Sequence, residues 1–308
     1  MNELLLLLAF QLQATNYPML VTDQSIHRVM IVQAPSGDII KEWCASDIPE
    51  QHRKWFRNPS EVKFSRNGKY LLTCASGGGA AIIRISDEKT LWYDSVGGNP
   101  HSLDIGPGNI LVVASSTGNY TTLFRYDLNS TKRYEPNRPR RKIDFPDGHA
   151  VNFYDGYFYV AGANQIKAYE VRQGKRKKNL PDLVAVESYT IPGIGAHDMI
   201  YGAREKVFYL TTVDTLLEFH ATDGSFHPVP GKISRNIKSY SEGANKDLPS
   251  TVTVPKEQWW TDEVTDLQGK TILKIPGARI YKARWLIGYI NTYKEYDKNG
   301  KLIRDVAW

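Results

Sequence analysis

Three histidines, His101, His149 and His197, recur at intervals of 48 residues, and each opens a short alternating segment: "HSLDI", "HAVNF" and "HDMIY". A fixed interval of that size is the signature of a repeat architecture, in which each unit buries its apolar faces only against its neighbours. Three further segments occupy equivalent places: "EVKFS" at Glu61, "KSYSE" at Lys238 and "KARWL" at Lys282. The six anchors lie 40, 48, 48, 41 and 44 residues apart, which predicts six units.

Within a unit the pattern is all β. From Glu61 come "EVKFS", the turn "RNG", "KYLLTCAS", the tract "GGG", "AAIIRIS" and "TLWYDS"; from His101 come "HSLDI", "PGN", "ILVVASS", "TTLFRYD" and "RKIDF". Four short strands joined by Gly, Asn and Asp turns describe the blade of a β-propeller. No stretch carries helical periodicity, so a fold of βαβ units is excluded. Near the N-terminus, "YPMLVTD", "RVMIVQA" and "DIIKEWC" form three strands with no inner partner, and "YKARWLIGYI" near the C-terminus is an inner strand without a following set. Joining them removes the exposed edges of the ring. The expectation is an all-β, six-bladed β-propeller closed by N-terminal strands pairing with a C-terminal inner strand, one domain over residues 15–308. The last segment, "KEYDKNGKLIRDVAW", reads as a further hairpin around "KNG".

The apolar run from Leu4 to Phe10, followed by Ala14, is too short to cross a bilayer. It fits a secretory signal peptide over residues 1–14, truncated to judge by Glu3 in place of a basic start; the alternative is a buried first strand. Export follows, to a secreted or periplasmic location, as a monomer with no membrane span. Two cysteines, Cys44 and Cys74, cannot build a disulfide framework or a zinc ribbon, and they read as small buried hydrophobes before they read as a bridge. The net charge of +6 is concentrated in "RPRRK" (138–142) and "RQGKRKK" (172–178). Such blocks are solvated loops first and an attraction for an acidic polymer second. Without a helix, zinc or RNA-binding signature beside them, nucleic acid is excluded as a partner.

In a propeller the innermost strands line a central channel, and residues at one repeat position face each other around its mouth. Glu61, His101, His149, His197, Lys238 and Lys282 are thus predicted to form one polar ring. Three neutral imidazoles, His101, His149 and His197, could hold a divalent metal, with Asp104 and Asp198 fixing their tautomers. Alternatively a histidine acts as general base while Lys238, Lys282 and Arg284 bind a carboxylate. Proton abstraction beside a uronate carboxylate needs those parts, a base and a cation for the developing enolate. The competing explanation is structural: a repeated histidine hydrogen-bonded to the next blade would recur without any chemistry. "QWWTDE" adds Trp259 and Trp260, one for the core and one, Trp260, for stacking on a sugar. Catalytic candidates are therefore His101, His149 and His197; substrate-binding candidates are Glu61, Lys238, Lys282, Arg284 and Trp260.

The series "PSEVKFSRNGKYLLTCASGGGAAI", "NPHSLDIGPGNILVVASS", "GHAVNFYDGYFYVAG", "GAHDMIYG", "IKSYSEG", "WWTD" and "YKARW" resembles a family of secreted six-bladed propellers of unknown function from bacteria of the Bacteroidetes type. That resemblance implies export, a single propeller and a setting in glycan breakdown, and it assigns no catalytic residue. A looser likeness of site type is to propeller polysaccharide lyases, which have seven blades and a metal among several histidines. The functional expectation is an acidic oligo- or polysaccharide held at the channel mouth, with lyase or glycoside hydrolase chemistry. The alternative is a non-catalytic propeller that binds a protein or cell-surface partner.

Overall fold

Consecutive residues of the run "ILVVA" face opposite sides of a strand, so both sides must be covered. Leu111 and Val113 enter one apolar cluster with Leu72 and Ile82, while Ile110, Val112 and Ala114 enter another with Val151 and Val160. The same division runs round the molecule. Six apolar clusters, one at each junction between neighbouring sheets, hold the ring together.

In the computed structural model, which describes residues 17–65, 68–173, 180–244, 248–286, 293–296 and 302–306, six four-stranded antiparallel sheets form six propeller blades. Blade 1 is composite: its inner strand, Ile280–Trp285, pairs with Tyr17–Asp23, which leads to Arg28–Ala34 and Ile39–Trp43. The expected closure is present, with Val21 opposite Ala283 and Met19 opposite Trp285. The other inner strands are Pro59–Phe64, Pro100–Gly106, Gly148–Tyr154, Asp198–Tyr201 and Ser239–Ser241, in blades 2 to 6. The terminal hairpin also forms, as a separate sheet pairing Tyr293–Tyr296 with Leu302–Val306, while its "KNG" turn lies outside the described residues. So do residues 1–14, expected to be a signal peptide, and most of the basic block at 172–178.

Between blades 1 and 2 the chain makes a short helix, Glu50–Arg53, and a 3-10 turn, Lys54–Phe56. That linker explains the "GGG" tract. A Cβ on Gly77 would stand 2.5 Å from the Lys54 carbonyl oxygen, so the linker can lie on the hairpin only where side chains are missing.

The basic block "RPRRK" departs from the solvated loop expected of it. The connection between the last two strands of blade 3 folds back along the outer strand of blade 2, where Tyr93 N–H donates to the Arg133 carbonyl at 3.1 Å. Arg138 and Arg140 reach the buried Asp94 carboxylate, each at 3.1 Å, and Arg141 pairs with Asp182. Arg138 and Arg140 are consumed internally because the buried Asp94 carboxylate needs them. The cysteines divide: both are thiols, Cys74 buried as expected, Cys44 exposed.

Candidate functional site

Strand alternation would aim only every second residue of an inner strand at the hub. The inner strands of blades 2, 3 and 4 break that rule at their first turn into the sheet, with register shifts between Pro59 and Glu61, Pro100 and Ser102, and Gly148 and Ala150. The residue skipped in each case is Ser60, His101 and His149. A bulge re-aims a side chain. Two successive residues can therefore face inward, and the hub carries successive polar tiers.

The outer tier confirms that the histidines converge. The His101 and His149 rings stack at 4.4 Å, His149 meets His197 edge-on at 5.3 Å, and Lys238 Nζ donates to His197 Nε2 at 3.0 Å. Tyr281 completes the tier, its hydroxyl 3.5 Å from His101 Nδ1. Glu61 and Lys282 belong one residue deeper. Ser102 Oγ accepts from Val151 N, and Ser239 Oγ from Ala283 N, so Lys282 matches Ser239, Asp198, Ser102 and Glu61 rather than the histidines. Ser60 and Tyr281 hold the outer positions of blades 2 and 1.

Beneath the imidazoles is a sealed ionic cluster. Lys282 Nζ lies 3.0 Å from both Glu61 Oε2 and Asp198 Oδ1, while Arg284 spans Glu61 Oε1 at 2.9 Å and Asp198 Oδ1 at 2.7 Å. None of these four side chains is more than 1 % exposed. Lys63 Nζ adds a hydrogen bond to Ser102 Oγ at 3.1 Å. Burial by itself would raise the Glu61 carboxyl, but Arg284, Lys282 and Lys63 hold it below its usual value. Asp198 is likewise driven down, by Arg284 and then Lys282, against the upward push of burial. The cations assigned to a ligand carboxylate thus hold the protein's own carboxylates. Lys282 and Arg284 leave the list of ligand-facing groups, and Glu61 with them.

The outer tier has a different electrostatic character. Burial, reinforced by Lys238, takes His197 down to about 3. Burial and then the neighbouring His149 hold His101 well below its ordinary value, and burial lowers His149 against the raising effect of Asp147. All three are neutral near pH 7. His149 Nδ1 donates to the Asp147 carbonyl at 2.8 Å, leaving Nε2 without a protein partner among the described residues. His197 Nε2 accepts from Lys238, and its Nδ1 is buried without a partner. Lys238 itself is lowered by burial and has no carboxylate within ion-pair distance among the described residues.

The metal expectation is corrected. Among the described residues no group of three His, Cys, Asp or Glu side chains is placed to hold a metal ion. The reason is geometric: lone pairs lie in the imidazole planes, so the nearly parallel His101 and His149 rings, 17° apart, do not aim at one point. His197 Nε2 faces Lys238 Nζ, 3.0 Å away. Asp198, foreseen as a tautomer guide, is engaged below by Lys282 and Arg284, and Asp104 accepts from the Phe153 N–H at 2.8 Å.

Each inner strand starts at the mouth, so chain segments entering inner strands, and those joining second to third strands, emerge on the mouth face. Trp259 is the outward tryptophan there, with Nε1 donating to Gln24 at 2.8 Å; Trp260, the predicted stacking residue, is half-buried under the Arg279 guanidinium, 4.9 Å away. Ile26, Ile194 and Val213 occupy the same face and are also exposed. Grooves of about 900 and 450 Å³ lie elsewhere, on the outer side of blades 1 to 3 against the returning segment.

The model of a family of unknown function, DUF6528, matches residues 8–303. No curated protein matches the chain. Among solved structures, a protein of unknown function from Bacteroides caccae aligns with TM-score 0.57 at 12% identity, covering 88% of this chain and 98% of its own, a likeness of fold. The dihydro-heme d1 dehydrogenase NirN in complex with DHE aligns at TM-score 0.47 and 13% identity over 85% of this chain and 54% of its own. Kuenenia stuttgartiensis hydrazine synthase aligns at 0.47 and 14% identity over 79% and 72%. Neither of these two carries an argument about function.

Proposed function

The chain belongs to the DUF6528 family of unknown function, and on the geometry of its hub we propose an exported propeller whose channel mouth binds an acidic glycan through Lys238. One observation carries this reading: Lys238 Nζ stands at the mouth 3.0 Å from an imidazole nitrogen, with no carboxylate within ion-pair distance among the described residues. A half-buried cation without a counter-charge favours an anion that supplies one. A uronate carboxylate does so, and the neutral His149 Nε2 beside it can accept a hydrogen bond from a sugar hydroxyl without adding charge.

The arrangement suits elimination better than hydrolysis. Glycoside hydrolysis needs two carboxylates flanking the bond, and here Glu61 and Asp198 are locked under Lys282 and Arg284. For elimination, His149 Nε2 takes the proton next to the uronate carboxylate while Lys238 stabilises the enolate. The C–O bond beyond then breaks, and its oxygen takes a proton from the Tyr281 phenol, which burial keeps undissociated.

A second reading has its own support. Ile26, Ile194, Val213 and Trp259 expose apolar surface on the mouth face, as a module for a protein or cell-surface partner would.

Calorimetric titration with uronate oligosaccharides, with product absorbance followed for an unsaturated sugar, separates the two. The glycan reading expects binding that weakens at least about tenfold in Lys238→Gln, the loss of one charge-assisted contact. Absence of binding across acidic glycans removes it in favour of the partner module.

A further inference from the structure

Lys63, Lys238 and Lys282 all approach the hub, and their surroundings differ in kind. Lys282 is clamped by two carboxylates, and Lys63 Nζ lies 3.8 Å from Glu61 Oε2 with Ser102 closer still. Lys238 instead touches an imidazole nitrogen at 3.0 Å and remains half-buried at the open end. We propose that Lys238 is a carbonyl-reactive lysine, whose amine condenses with an aldehyde or ketone group carried on an acidic molecule to form an imine at the hub. The acidic character of that molecule rests on the glycan-binding reading; the covalent step does not.

The geometry supplies what an amine nucleophile needs. An ammonium is inert until it sheds a proton, and it sheds one more readily where water is scarce and no carboxylate holds the charge. The groups facing Lys238 meet those terms. His197 and His149 are neutral acceptors, His101 and Tyr281 lie across the mouth, and below them Lys282 and Arg284 are neutralised by Glu61 and Asp198. Burial lowers Lys238 in the same direction. His197 Nε2 also fixes the orientation of Nζ by accepting its hydrogen bond.

The step balances without an oxidant or a reductant. The nitrogen lone pair adds to the carbonyl carbon, and the C=O π pair moves to oxygen. The nitrogen releases a proton and the oxygen gains one, giving a carbinolamine. Loss of that oxygen as water forms the C=N bond, so amine and carbonyl become imine and water.

The test is reductive trapping on the full chain with glyoxylate, which carries an aldehyde next to a carboxylate, and cyanoborohydride, followed by peptide mapping of modified lysines at neutral pH. An amine lowered by burial presents more of its free form at a given pH than an exposed lysine does. The expected result is that Lys238 is carboxymethylated about tenfold ahead of any other lysine. Lys238→Arg should lose that site, with the other lysines modified as in the wild type. Modification spread over exposed lysines, with Lys238 not ahead, overturns the proposal and leaves the glycan reading standing. Trapping at Lys238 in a wild-type chain that binds no uronate oligosaccharide would count against the glycan reading alone. If the variant does not fold, mapping of the wild-type chain decides the matter.

Discussion

Asp198 illustrates how one side chain can be mistaken for a functional group when it is holding the hub together. With Glu61 it neutralises Lys282 and Arg284 in a site closed to water. Removing one member of such a set leaves an uncompensated buried charge, at a cost of about 3–5 kcal/mol. Asp198→Asn is therefore expected to lose stability of that size in urea unfolding, where a surface Asp→Asn exchange would change little. The pH dependence has a definite sign. Both carboxyls are held below their usual values of 3.8 and 4.5, so as pH falls the unfolded chain takes up protons before the folded one. Their contribution is complete above about pH 4.5 and is lost as pH drops through the folded values. Asp198→Asn should flatten that acid limb, and an unchanged limb would show that the cluster is not coupled to folding.

At the scale of the element, a bulge separates what the sequence disclosed from what it concealed. The six anchors and their spacing were readable because blades repeat, and so was the convergence of three histidines. The register of two anchors was not. An apolar residue, Val62, follows Glu61 directly, whereas Leu103 follows His101 by two positions, and that phase difference marks Glu61 as the partner of Ser102. A slip of one residue moves a side chain to the other face of a strand. Tyr281 went unnoticed for the same reason, since Lys282 had been given its place. The fate of "RPRRK" was hidden for another: a long-range contact with Asp94, some forty-five positions earlier, leaves no local trace. That segment covers the outer edge of blade 2 much as a fifth strand would. Arg138→Ala should release it, costing about 1–3 kcal/mol because Asp94 keeps only Arg140 as its ion partner, and speeding amide exchange over residues 126–139. Exchange left slow there would mean that Tyr134 and its ring contacts with Tyr93 and Trp55 suffice.

For the whole molecule, closure turns distant sequence into a single surface. Pairing of Tyr17–Asp23 with Ile280–Trp285 joins the two ends of the described ring, and it brings Lys282 and Arg284 to Glu61, more than two hundred residues away in sequence. The result is a hub of two characters, a neutralised ionic floor and, above it, three uncharged imidazoles beside one cation with no carboxylate partner among the described residues. Fold class and the place of the histidines could be foreseen from periodicity. The division of labour between the tiers depends on which carboxylate meets which cation, and that depends on closure. The most direct measurement is an NMR titration of the seven histidine imidazoles with and without a uronate oligosaccharide. The account predicts that His101, His149 and His197 all titrate below their ordinary 6.5, and that these three shift together when the sugar is added. Titration of the three near 6.5, or indifference to every acidic sugar, would contradict it.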